Sequence, residues 1–167
     1  MRDPAMRESF SPNDAKFLEI VDKYGWHVMS VAPRANSQDR QEWFSYSTGL
    51  FMRFREPEII LCGLDSNVAV RIINEIGHAL ESGRKFKLET DYTDIFANDV
   101  KCHFRAVHLS QYGEYVCWSQ WFYESKDFPV WRCFWPDKGG HYPWEAGCHP
   151  EIVALQPSLY EPLRHVM

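Results

Sequence analysis

The amino-acid sequence predicts a single α+β domain spanning 1–167, with helices packed on a mixed or mostly antiparallel sheet. Its local patterns run helix, hairpin, strand, helix, strand, helix, strand, without the regular alternation that builds a parallel sheet. No internal repeat, low-complexity run or linker divides the 167 residues. A chain of that length can bury a substantial core.

After an irregular segment at 1–10, Ser11 can cap a helix, Pro12 suits its first position, and Asp14 places an acid in the first turn. Phe17, Leu18, Val21 and Tyr24 recur on one face, and Gly25 suits a left-handed stop. Strand-like runs follow at 26–31 and 43–48, joined as a hairpin through the polar segment 34–41, with a third at 58–61. Gly63, Asp65 and Ser66 end that strand. A helix over about 67–82 carries the stripe Val68, Ala69, Ile72, Ile73, Ile76 and Leu80 before Gly83. The 84–100 stretch reads as irregular or short-stranded, and 102–107 alternates as a strand. An aromatic helix is expected over 109–123, weakened by Gly113. A last strand over 128–135 feeds a specialised loop. The tail at 148–167, with Pro150, Pro157 and Pro162, is expected to be irregular.

Composition bounds the partners. Net charge is −5 and no basic run occurs, which argues against nucleic acid. The N-terminus lacks the apolar core of a signal peptide, and no stretch reaches the roughly 20 apolar residues of a membrane span. Five cysteines without close pairing fit reduced thiols, so a cytoplasmic protein without disulfides is expected. The 7 Trp, 8 Tyr and 11 Phe favour a rigid core and an aromatic-walled pocket.

The 134–147 segment concentrates specialised residues. Trp135-Pro136 and Pro143-Trp144 stiffen the ends of a Lys138-Gly139-Gly140 turn, and Asp137, His141 and Glu145 project from it. Those three could form an acid–base or ligand-orienting cluster walled by Trp135 and Trp144, or Asp137 could simply cap the turn. Tyr46, Ser47 and Thr48 bring three hydroxyls to a strand end before Gly49, where a phosphate or carboxylate could be received. The same run also reads as a strand with a bend. Cys133, His141, Cys148 and His149 are metal-ligand types at the wrong spacing, so no metal and no cofactor are expected. Cys62 follows an apolar run where a thiol is inert, and nothing selects Cys117 as a nucleophile.

Several motifs together resemble the bacterial family catalogued as domain of unknown function 4262. They are Tyr46-Ser47-Thr48-Gly49-Leu50, Pro57-Glu58, Gly63-Leu64, a helix closing on Gly83, the Trp135 to Trp144 run, and Gln156-Pro157. Ser47 replaces the usual Thr, and His141 stands where Arg or Lys is usual. If a fixed cation were needed there, His would serve poorly at neutral pH, its ordinary pKa being about 6.5. The resemblance spans about 18–159 and implies a soluble α+β domain, with no catalytic residue carried over.

Two functional readings follow. One is a small-ligand-binding or enzymatic domain with its site at the 135–145 loop and the 46–50 strand end, expected to lie together. The other is a protein-interaction module, an immunity or regulatory protein, using the aromatic loop as a contact surface. Concavity around Trp135 and Trp144 discriminates them.

Overall fold

The structure is a computed structural model that describes residues 1–2, 11–32 and 43–163. The hairpin connection expected at 34–41 lies outside the described residues. The first helix, α1 (Pro12–Tyr24), begins where the sequence places it: Ser11 accepts the Asp14 N–H at 3.3 Å, and Gly25 closes the helix at φ 92°. Strand β1 (His27–Val31) pairs antiparallel with β2 (Phe44–Thr48), and β2 with β3 (Glu58–Cys62). Between β2 and β3 sits a five-residue helix, α2 (Leu50–Phe54). It has no amphipathic period to read and is too short to be stable alone.

The long helix α3 (Ser66–Glu81) is capped by Asp65, which accepts the Asn67 N–H at 2.9 Å. Beyond it come β4 (Asp91–Tyr92), β5 (Cys102–Ala106), α4 (Tyr112–Tyr115), α5 (Cys117–Tyr123), β6 (Val130–Phe134) and α6 (Pro150–Leu155). The strand order is β1-β2-β3-β6-β5-β4, and only β3 and β6 run parallel. The fold is α+β, with an open mixed sheet. Among the described residues no helix is long and apolar enough to cross a membrane.

Side-chain alternation along the strands divides the core into two layers. On one face, Ile59, Leu61, Cys102, Phe104 and Cys133 pack under Ala69, Ile72, Ile73, Ile76 and Leu80 of α3. On the other, Tyr46, Ile60, Cys62 and Val130 meet Phe17, Leu18 and Val21 of α1 and Val116, Phe122 and Tyr123 near and in α5.

Two expectations are corrected. The single helix over 109–123 is broken at Val116, which is fully buried with φ −109° and ψ 48°. Gly113 is not the break. The kink at a buried β-branched residue re-aims α5 so that Ser119, Phe122 and Tyr123 turn inward. The tail is not wholly irregular either: His149 caps α6 through its side chain, and Pro150 occupies the first turn, a legible helix start.

Candidate functional site

The 46–50 strand end is a structural joint. Glu58, fully buried, accepts hydrogen bonds from Ser47 Oγ at 2.8 Å and from the N–H groups of Gly49 at 2.8 Å and Leu50 at 3.1 Å. Phe51 N–H lies at 3.4 Å, and the Tyr123 hydroxyl donates to the same carboxylate while accepting from Met52 N–H at 3.1 Å. One carboxylate and one phenol therefore serve the orphan donors that open α2. Burial pushes the Glu58 carboxyl above its usual range, and the Tyr123, Gly49 and Ser47 donors pull against that rise. Thr48 shares a 2.8 Å hydrogen bond with Ser119, and the Tyr46 hydroxyl accepts from Trp118 N–H at 3.1 Å. Gly49 does approach something closely, but it is backbone: at φ 120°, an added Cβ would meet Gly25 O at 2.6 Å.

The 135–145 loop lies elsewhere. Phe44 is opposite Cys62 and Glu58 is opposite Val130, so the end of β6 extends past the Cys62 end of β3. Trp135 Nε1 donates to Cys62 O at 3.0 Å. The two segments thus occupy opposite ends of the sheet, a strand length of roughly 13 Å apart. The expectation that they form one site is corrected: antiparallel pairing of β2 with β3 sends Thr48 one way, while parallel pairing of β6 sends Trp135 the other.

Within the loop, the polar residues close on one another. Asp137 Oδ1 accepts from Gly139 N–H at 3.0 Å and His141 N–H at 2.8 Å, and Oδ2 accepts from His149 N–H at 2.8 Å. His141 Nδ1 lies 3.4 Å from Asp137, and Glu145 accepts from Tyr142 N–H at 2.7 Å. The donors from His141 and His149 hold the Asp137 carboxyl below its usual range. A depressed folded-state pKa gives stability that is present above the unfolded value of about 3.9 and lost as pH falls through the lower folded value. Asp137→Asn is therefore expected to lower the melting temperature at neutral pH, because an amide cannot accept on both sides. The parent loop should hold from pH 5 to 8 and loosen below about pH 4. A melting temperature unchanged in the variant at pH 7 would contradict the capping role.

What that capped loop positions is Tyr142 and Trp144, stacked at 4.8 Å, over the α1/α5 side of β6 and β5. Arg132 and Arg105 are direct cross-strand partners there, and His103 faces Phe134. Like charges set opposite each other destabilise a sheet. The Arg105 guanidinium lies 3.7 Å from the Trp144 ring and 4.7 Å from the Tyr160 ring, and its Nε is 3.2 Å from Glu89 Oε2, too poorly aligned for a hydrogen bond. Arg132 is 0% exposed, and among the described residues its Nε, Nη1 and Nη2 have no well-formed hydrogen bond, the Cys62 thiol beside it being only a weak acceptor. Its guanidinium rests 4.3 Å from the Phe134 ring. Burial lowers its pKa, with the Cys62 thiol and the Tyr115, Cys133 and Tyr160 groups as the ionisable neighbours. An arginine stays protonated even so. Burial pushes the Cys62 thiol up, and Arg132 pulls it back. Gly63, at φ 82°, lets α6 seal this end: an added Cβ would meet Leu155 O at 2.7 Å.

Trp144, among the residues singled out by sequence, lies at this cluster, whereas Trp135 packs with the opposite core layer while donating to Cys62 O. Tyr46, Ser47 and Thr48 are remote from it, and Asp137, His141 and Glu145 support the loop. Sequence reading missed Arg132, Arg105, Tyr115 and Tyr160. The available signal was Arg132 itself, one cation inside the apolar run Val130-Trp131-Arg132-Cys133-Phe134. Among the described residues no group of three or more His, Cys, Asp or Glu could hold a metal ion. Cys133 points to the opposite core layer, with Cys102, away from His141, Cys148 and His149.

No curated protein and no solved structure matches the chain. A family model, that of a domain of unknown function, DUF4262, matches residues 20–149, and the chain belongs to that family.

Proposed function

We propose that the protein is a small-ligand-binding domain whose site is the sheet face at Arg132, roofed by the 135–145 loop and Tyr160. The observation that carries this reading is the uncompensated guanidinium. Among the described residues Arg132 has no acidic partner and no well-formed hydrogen bond, only the weakly accepting Cys62 thiol beside it, and it is fully buried. An unpaired buried charge costs several kcal/mol, a penalty that a fold avoids unless something offsets it. Glu58 does not offset it, because its oxygens are taken up at the far end of β3. A small anion bound beside Arg132 would. Trp144 serves as a wall of the site, and Asp137, His141 and Glu145 hold the loop that carries it.

Arg132 is fully buried, so a ligand reaches it only when the side chains that cover it move aside. Association is then gated by that motion and slower than simple docking. Native mass spectrometry of gently purified protein tests the reading. The wild type is expected to carry a small added mass that is released on denaturation and absent from Arg132→Met. Identical bare masses for the two proteins, both folded, would count against it.

A further inference from the structure

We infer that the outer edge of β1 docks an extended, uncharged peptide segment of a partner protein, which pairs with it as one more strand of the sheet. β1 stands at one end of the sheet and, among the described residues, pairs with β2 alone. Along an antiparallel ladder, alternate residues turn both N–H and C=O away from the paired strand. That outward row matches another extended backbone, and proteins ordinarily guard it with Lys, Pro, a bulge or a very short strand. The opposite end of the sheet is guarded in this way: β4 has two residues, one of them Asp91. β1 is not. Its five residues, His27 to Val31, include no Lys, Arg, acid or Pro, and their register with β2 is unbroken.

A trough of about 360 Å³ opens at the start of this edge. Ile20 and Tyr24 of α1 wall one side, Val70, Asn74 and His78 of α3 wall the other, and the 26–28 segment lies between. The floor side chains turn into the two core layers: Trp26 and Val28 pack on the α3 side, and the His27 ring lies 5.4 Å from Phe17 of α1. No Lys, Arg, Asp or Glu lines the trough, and burial, with Lys16 nearby, holds the His27 imidazole below its usual range. Uncharged partner side chains fit such walls. Asn74 accepts from Trp26 Nε1 at 3.0 Å, which leaves its amide N–H groups to donate to a peptide carbonyl. The walls also choose between occupants. A second copy of β1 would bring its own α1 and α3 against these helices, whereas a lone extended segment carries no flanks. The edge lies apart from Arg132, since β2 and β3 stand between β1 and β6.

The test is selection of a displayed library of random octapeptides on the folded full chain, followed by calorimetric titration of the strongest binder as a free peptide. Enriched sequences are expected to run four or five residues without charge or Pro. Tyr24→Asp and Val70→Glu, which charge the two walls, should each weaken the binder about tenfold or more while the melting temperature stays near wild type. Arg132→Met should leave binding unchanged. Methylation of the peptide's backbone N–H groups reads strand pairing itself: one alternate set should abolish binding, and the other should leave it near the parent value. No enriched sequence, or a binder indifferent to both wall changes, would overturn the site. Equal sensitivity to the two methylated sets would overturn strand addition. A dimer of the bare chain that Val70→Glu dissociates would overturn the peptide in favour of a second copy.

Discussion

Glu58→Ala is expected to destabilise the protein by about 3–5 kcal/mol, because several buried donors lose their acceptor at once and each unsatisfied one costs about 1–3 kcal/mol. The donors are Ser47 Oγ, the Gly49 and Leu50 N–H groups and the Tyr123 hydroxyl. Without that acceptor α2 has nothing to open on, and the turn from β2 into α2 loses its anchor. Tyr123→Phe removes one donor to Glu58 and the acceptor of Met52 N–H, so it should cost less, about 1–3 kcal/mol. Urea denaturation with an unchanged slope checks both. A Glu58→Ala protein within about 0.5 kcal/mol of the parent would mean that water replaces the carboxylate freely and that the joint is not structural.

Ile76→Ala carries the second large effect, about 2–5 kcal/mol. Ile76 is 0% exposed at the centre of the α3 stripe, against a sheet face that includes Ile59 and Leu61. Truncation removes apolar contact and leaves a void that close-packed neighbours cannot fill. Leu109→Ala is the matched control: at 53% exposure it should change stability by no more than about 0.5 kcal/mol. Equal effects at the two positions, read from denaturation midpoints, would contradict the two-layer core.

The two variants mark what a sequence can and cannot reveal. The α3 stripe was legible because burial of a long helix on a sheet imposes a period that any window along the chain displays. The start of α1 was legible for a local reason, as Ser11, Pro12 and Asp14 each answer a demand of the first turn. The joint at Glu58 was not. Its donors come from β2, α2 and α5, segments joined only by tertiary folding, and an acid opening a strand looks like a solvated strand end. The aromatic loop was legible because its residues are unusual, but its position in the sheet was not. Asp137, His141 and Glu145 are spent on the loop itself, while beneath it lie Arg132 and Arg105. Their juxtaposition depends on the β5–β6 register, which no local pattern encodes. The broken helix at Val116 was hidden for the same reason, since a buried β-branched residue reads as strand or helix with equal ease.

The account turns on whether the buried guanidinium of Arg132 is truly uncompensated in the unliganded protein. Denaturation of unliganded Arg132→Met measures this directly. Removing an unpaired buried charge and filling its space with an apolar side chain should leave stability unchanged or raise it by about 1–4 kcal/mol. A loss of about 3–5 kcal/mol would instead reveal a paired, structural arginine, and with it the case for an anion site on this face would fall.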